Sequence, residues 1–323
     1  MSIETAFFRL ALTAASRNRL SVLIYHRVLP EPDELLPGEP CAAEFDRAMR
    51  LVKSTLNVIP LADGVRGIKT GKLPTRALSI TFDDGYANNA TVAAPILSRL
   101  GLHATFFIAT GFLDGGRMFN DAVIEAVRGF EGATLDVEFL GLGRHPTGTV
   151  VERRRAVEAL LRAIKYRPEA ERGRLAEQVA DIAGVQPSKD LMMTSAQAAG
   201  LAQTGFALGG HTVSHPILSQ LDPATAQDEI ARGRKRLEEL TGSRVGLFAY
   251  PNGRPDLDYG VAATRLVREL GFDGAVSTSR GAARVGSDPF QIPRFTPWDL
   301  RPLRFTAQLA SNLLNVEPTY AAA

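Results

Sequence analysis

A single cysteine, Cys41, in 323 residues rules out an internal disulfide and any cysteine-built zinc or iron–sulfur centre. A metal in this chain would have to be held by histidines and carboxylates. Charge of one sign is also missing: 37 Lys and Arg against 35 Asp and Glu leave +2, too little for a broad nucleic-acid footprint. No apolar run approaches the roughly 18–20 residues of a membrane span. In the first twenty-five residues, Arg9, Arg17 and Arg19 interrupt Phe7, Phe8, Leu10, Leu12 and Leu20, so no signal-peptide core is visible. The expectation is a cytoplasmic protein whose residues 1–20 form an N-terminal arm, packed on the body or in peripheral contact with a membrane.

What is present is core material. The chain is 45% apolar and 22% charged, which places it among globular proteins and not disordered ones. Short β-rich runs at 21–25, 77–82, 104–109, 206–208, 245–250 and 272–278 alternate with segments of helical period, the pattern of a parallel α/β fold. Asp222-Pro223 predicts a helix start, with the helix running over 224–240 to Thr241-Gly242, and a second helix is expected over 259–270, ending at Gly271. Six or more strands, each followed by a helix, favour a closed or nearly closed α/β barrel over a doubly wound sheet. Residues 21–323 are read as one catalytic domain interrupted by a helical insertion at about 112–203. The mixed-sign runs 152–155 and 171–174 in that insertion read as solvated helix faces.

Two clusters carry chemistry. In Thr81-Phe82-Asp83-Asp84-Gly85, two adjacent carboxylates end an apolar strand. The C-terminal strand ends of a barrel face the active site, and two carboxylates there repel unless a cation or a shared proton separates their roles. The bland alternative is an acidic turn that caps the next helix. In His211-Thr212-Val213-Ser214-His215, two of the chain's five histidines end another strand, and Pro216 biases His215 away from a helix towards a turn that aims both rings inward. One aspartate with two histidines, and a second aspartate free to move protons, is the minimum outfit of a mononuclear metal hydrolase.

These two motifs, with GLHATFFIAT at 101–110 and Phe248-Ala249-Tyr250-Pro251-Asn252-Gly253, closely resemble the polysaccharide deacetylase family, also called the NodB-homology or carbohydrate esterase family four domain. The resemblance spans about residues 21–294 and implies a distorted barrel of about seven strands. It implies Asp83 as catalytic base and Asp84, His211 and His215 as ligands of a divalent metal. Zinc is the default on ligand grounds, and cobalt, nickel, manganese and iron are also compatible. It further implies that the turn at Pro251 supplies an oxyanion-binding N–H at Asn252. Tyr86, Tyr250, Pro251 and Trp298 are candidates for the substrate-binding wall. For Tyr86 the alternative is helix packing; for Trp298, the only tryptophan, it is core packing against stacking on a sugar ring.

Departures from the family pattern matter. Ala249 and Asn252 stand where many members carry arginine and tyrosine, so the arginine that would orient the base is missing locally. Arg294 is the candidate replacement, with an ordinary ion pair as the alternative. No histidine follows His215, so the family's late general acid is absent. His26, at the end of the first strand in Tyr25-His26-Arg27-Val28, is the candidate acid or substrate-orienting donor. The implied function is metal-dependent de-N-acetylation of an N-acetylhexosamine-containing polysaccharide, oligosaccharide or glycoconjugate. The alternatives are a non-catalytic glycan-binding protein on the same fold, which the absent late histidine keeps open, and a hydrolase of a small cyclic amide or ureide, against which the Asp84, His211, His215 set argues.

Overall fold

The computed structural model describes residues 12–13, 16–186, 188–315 and 318–322. Most of the expected N-terminal arm lies outside the described residues. Two compact units result: the residues up to Glu31 with Gly38–Leu113 and those from Met193 on, and a second of Pro32–Pro37 with Asp114–Met192. The strands are β1 (Arg19–Tyr25), β2 (Asn57–Val58), β3 (Ala77–Phe82), β4 (Thr105–Ile108), β5 (Thr134–Asp136), β6 (Arg144–Pro146), β7 (Ala207–Gly210), β8 (Leu247–Ala249), β9 (Gly274–Val276) and β10 (Ala283–Arg284). The α-helices are α1 (Ala42–Thr55), α2 (Leu61–Thr70), α3 (Ala94–Leu100), α4 (Phe119–Gly129), α5 (Val150–Ile164), α6 (Glu169–Ile182), α7 (Ser195–Gln203), α8 (Pro223–Thr241), α9 (Val261–Glu269) and α10 (Pro302–Leu314).

In the first unit the sheet runs β10-β1-β3-β4-β7-β8-β9, with β2 also on β3. All pairings are parallel except β1 with β10. The irregular segment 292–295 then returns the sheet towards its start. Ile292 bridges Val276 of β9, and Phe295 bridges Leu23 of β1. Its backbone bonds to both, Ser277 N–H to the Ile292 carbonyl and Ile24 N–H to the Phe295 carbonyl, each about as short as a strand hydrogen bond. The expected distorted (β/α) barrel is thus found, with a non-strand segment as one of its staves.

Alternation along the strands sorts side chains between two cores. Tyr25, Phe82 and Phe106 are cross-strand neighbours. Their rings form a ladder with centroids 5.6 and 4.9 Å apart, flanked by Phe45 of α1 and by Phe206. With Phe82 facing the helices, Thr81 and Asp83 on either side of it face the barrel interior. There Leu20, Val22, Phe107, Ala249, Val276 and Ile292 form a separate cluster with Leu61, Val65 and Ile68 of α2.

The local signals in α8 act as expected. Asp222 Oδ1 accepts the N–H groups of Ala224 and Thr225 at 3.0 Å, and Gly242 ends the helix at φ 63°. The second expected helix begins two residues later than its sequence suggests, because Tyr259 leaves the helical path to stack on Tyr250, with centroids 3.9 Å apart.

The second unit has its own core, in which Val123 and Val127 of α4 meet Leu160 of α5 and Leu175 and Val179 of α6. One sequence expectation fails here. The 152–155 run is not simply a solvated face: Glu152 closes a capping box with Thr149, and Arg153 donates to the carbonyls of Val127, Arg128 and Phe130. Those carbonyls lie at the C-terminal end of α4, where a guanidinium satisfies acceptors the helix cannot. In the 171–174 run, Arg172 is buried with its guanidinium over the Phe119 ring.

The ladder yields a stability prediction. Phe82 is fully buried and covered on both faces, so Phe82→Ala should lower the unfolding free energy by about 3–5 kcal/mol. Urea denaturation followed by circular dichroism would measure it, and a loss below about 1 kcal/mol would show that the ladder is not a principal support.

Candidate active site

Asp83 and Asp84 leave β3 in opposite roles. Asp83 is buried, and Arg294, whose side chain has no exposed surface, grips it with both arms: Nη1 donates to Oδ1 at 2.7 Å and Nη2 to Oδ2 at 2.6 Å. The guanidinium is held in turn, Nε donating to the Ser277 carbonyl at 2.9 Å and Nη1 to Thr81 Oγ1 at 3.2 Å. Burial by itself would raise the Asp83 pKa. The charges of Arg294, His211 and His26 outweigh it and hold this carboxyl below the ordinary range.

Asp84 turns away through a left-handed backbone, φ 75°, towards two imidazoles. Its Oδ1 lies 3.3 Å from His211 Nε2 and 3.5 Å from His215 Nε2. Here too burial opposes ionisation and is outweighed, by His211, His215 and His26, so the Asp84 pKa is strongly depressed. His211 Nδ1 donates to the Ala249 carbonyl at 2.7 Å, since a carbonyl can only accept, so Nε2 is the nitrogen turned towards Asp84.

The one-aspartate, two-histidine set fits a divalent ion. The candidate ligand atoms lie within 4.8 Å of one another. Ligands about 2.0–2.2 Å from a zinc-sized ion in tetrahedral array stand about 3.3–3.6 Å apart. The Asp84–His211 and Asp84–His215 separations fall in that range, and both histidines present Nε2 to Asp84.

The turn carrying the histidines is clamped from α8. Glu229 Oε2 accepts the N–H groups of Val213 and Ser214, both at 2.9 Å, and Oε1 accepts Ser214 Oγ–H at 3.1 Å. Thr212 Oγ1 accepts the His215 N–H at 3.1 Å. Close approach of α8 depends on Gly233, where a Cβ would stand 2.6 Å from the Thr212 carbonyl oxygen. Neither Glu229 nor Gly233 belongs to a motif noticed in the sequence. Only the carboxylate's helical position, facing a turn rich in N–H donors, identifies it.

Other sequence candidates divide. His26 is half-buried at the end of β1, and its charge is felt by both Asp83 and Asp84. Asn252 sits at φ 59°, three residues after the carbonyl that orients His211, and its own carbonyl accepts Thr278 Oγ–H at 2.8 Å. Trp298 is 69% exposed, so it is not core packing. Tyr250 does not belong on a substrate wall. Its side chain is fully buried, its hydroxyl donates to the Phe290 carbonyl at 2.9 Å, and its ring stacks on Tyr259, because it points to the opposite side of the strand from Ala249. Pro251 is buried beside it. Tyr86 is also buried, its ring covered by the Arg27 guanidinium at 4.8 Å.

The family model for polysaccharide deacetylases matches residues 70–131 and 174–275, about half of the chain, and includes both motifs. The chain belongs to the polysaccharide deacetylase family. It is 29% identical over 278 residues to YxkH of Bacillus subtilis (strain 168), which is named as a polysaccharide deacetylase; the match spans 85% of this chain and 70% of that one. The deacetylase PplD of Streptococcus pyogenes, solved with acetate, shares the fold at TM-score 0.62 and 17% identity, covering 90% of this chain and 98% of its own. IcaB from Ammonifex degensii does so at TM-score 0.59 and 18% identity, covering 92% and 97%. The family is one of hydrolases that act on carbon–nitrogen bonds other than peptide bonds. No helix among its described residues is long and apolar enough to cross a membrane.

Two substitutions test the geometry. Glu229→Ala should weaken binding of a divalent ion by about 10–100-fold in chelator competition, the range for groups that orient metal ligands. Unchanged affinity would mean the turn is rigid without its clamp. Arg294→Ala strands a buried carboxylate and should destabilise the fold by about 3–5 kcal/mol in chemical denaturation. Arg294→Ala with wild-type stability would show that Asp83 readily finds another partner.

Proposed function

We propose that this protein is a metal-dependent deacetylase that hydrolyses the N-acetyl group of an N-acetylhexosamine-containing polysaccharide, oligosaccharide or glycoconjugate. The observation that carries the reading is the division of labour between two adjacent buried carboxylates. Asp83 is pinned and kept ionised by Arg294, while Asp84 faces two imidazoles. Asp84, His211 and His215 would hold the ion, with zinc the first to test and cobalt, nickel, manganese and iron after it. A divalent ion bound there would acidify water and polarise the acyl carbonyl.

The remaining steps belong to the chain's own residues. Asp83 takes the proton of the attacking water; its depressed pKa keeps it a base across the neutral range, and the bidentate arginine fixes which lone pairs are free. The Asn252 N–H donates to the oxyanion that develops on the acetyl oxygen, a role independent of that residue's side chain. As the carbon–nitrogen bond breaks, the nitrogen takes its electron pair and a proton from His26, so acetate and a free amine leave. Trp298, exposed at the end of the stave that carries Arg294, offers an aromatic face to a pyranose ring.

Metal content by mass spectrometry and acetate release from N-acetylglucosamine oligomers test this together. Wild type should hold about one equivalent of metal and release acetate. His211→Ala and Asp84→Ala should lose both. Asp83→Asn should keep the metal and lose at least about 10²-fold in turnover. A glycan-binding protein would instead show unchanged glycan affinity in Asp83→Asn and no acetate release in wild type. A wild type that takes up no metal after resupply would overturn the proposal.

A further inference from the structure

Glu39 belongs to no motif, yet the structure brings it to the peptide bond that follows His26. The loop between β1 and α1 folds back on itself: Leu29 N–H donates to the Pro40 carbonyl at 2.8 Å, Ala42 N–H to the Leu29 carbonyl at 2.7 Å, and Leu29 bridges Cys41. This zipper sets the half-buried Glu39 beside the end of β1, where its Oε2 accepts the Arg27 N–H at 3.2 Å. The peptide bond so held is the one that joins His26 to Arg27. The charges acting on the Glu39 carboxyl are those of His26 and Arg27, which favour its ionised form, and of Asp84, which opposes it. Arg27 is itself anchored over the Tyr86 ring, 4.8 Å from the centroid. Glu39 is therefore tied by a hydrogen bond to the backbone that aims His26 and coupled by charge to its imidazole.

We propose that Glu39 is a positioning residue that holds His26 for proton delivery to the leaving amine, taking up in this chain the task of orienting the general acid. The inference rests on the deacetylase reading above. An acceptor that holds the peptide bond after His26 fixes how the chain leaves β1, and with it where the imidazole is presented. Burial, the largest influence on the Glu39 carboxyl, raises it above the ordinary range. In the step itself the carbonyl-carbon–nitrogen bond breaks, the nitrogen keeps the electron pair and gains the His26 proton, and the water oxygen stays with the acetyl carbon.

The test exploits the leaving group. An N-acetyl sugar needs a proton to expel its amine, whereas 4-nitrophenyl acetate expels a stable phenolate without one. Glu39→Leu, which cannot accept the Arg27 N–H, and His26→Ala should each reduce kcat on N-acetylglucosamine oligomers by at least about tenfold, within the reach of general-acid catalysis, and Glu39→Gln, which can still accept it, should keep most of the activity. For Glu39→Leu, KM should change little, and kcat on the aryl ester should stay within about twofold of wild type, since that substrate needs no general acid. The double variant should be no slower on the oligomers than His26→Ala, because Glu39 acts only through that ring. Equal losses on both substrates, or single effects that multiply in the double variant, would overturn the proposal while the deacetylase reading stands. A wild type that cleaves the ester and no N-acetylated amide would overturn the deacetylase reading, and with it the task assigned to Glu39.

Discussion

The buried pair of Asp83 and Arg294 is the constraint on which much else depends. Two opposite charges removed from water tolerate no loss of geometry, because either one alone would carry a desolvation cost of several kcal/mol. The guanidinium reaches Asp83 from the segment 292–295, which bonds to β9 on one side and to β1 on the other. One ion pair thus fastens the irregular stave to β3 and immobilises the carboxylate proposed as base. The anchoring of that stave and the fixed position of Asp83 meet in the same contact.

Backbone strain is concentrated around that contact. Eight non-glycine residues have positive φ among those described, and Asp84, Thr212, His215 and Asn252 are four of them. Each non-glycine residue in the left-handed region costs about 1–3 kcal/mol and persists only where its surroundings over-determine it. The over-determination is visible: Glu229 and Thr212 bond the histidine turn, and Thr278 bonds the Asn252 carbonyl. An apolar scaffold with regular strands supports these distortions, and its aromatic ladder lies on the opposite face of β3 from Asp83.

Legibility in the sequence followed the range of the interaction. The strand runs ending at Tyr25 and Phe82, the cap at Asp222 and the stop at Gly242 are local events, governed by period, capping and glycine conformation, and all are found where the sequence pattern puts them. The Asp-Asp and His-x-x-x-His motifs were also legible, since each is contiguous and ends a strand. Short strands with few distinctive residues were not: β2 and β10 have two residues each and are specified by their neighbours. Tyr250 looked like part of a substrate motif because its neighbours are; only the side of the strand on which it emerges sends it into the core.

The sequence by itself determined the alternating fold, the family and the set of residues able to hold an ion, because each is encoded in periodicity or in short runs of adjacent side chains. Tertiary structure alone brought in Glu229 and Glu39, and it made Arg294, a candidate in the sequence, the partner of Asp83. Arg294 lies 211 positions from Asp83, Glu229 is 14 from His215 on another element, and Glu39 meets Arg27 across a folded loop. Hydrogen bonds and charge pairs act over a few ångströms of space whatever their separation along the chain. A partner that no local period announces becomes visible only when the barrel brings it within reach.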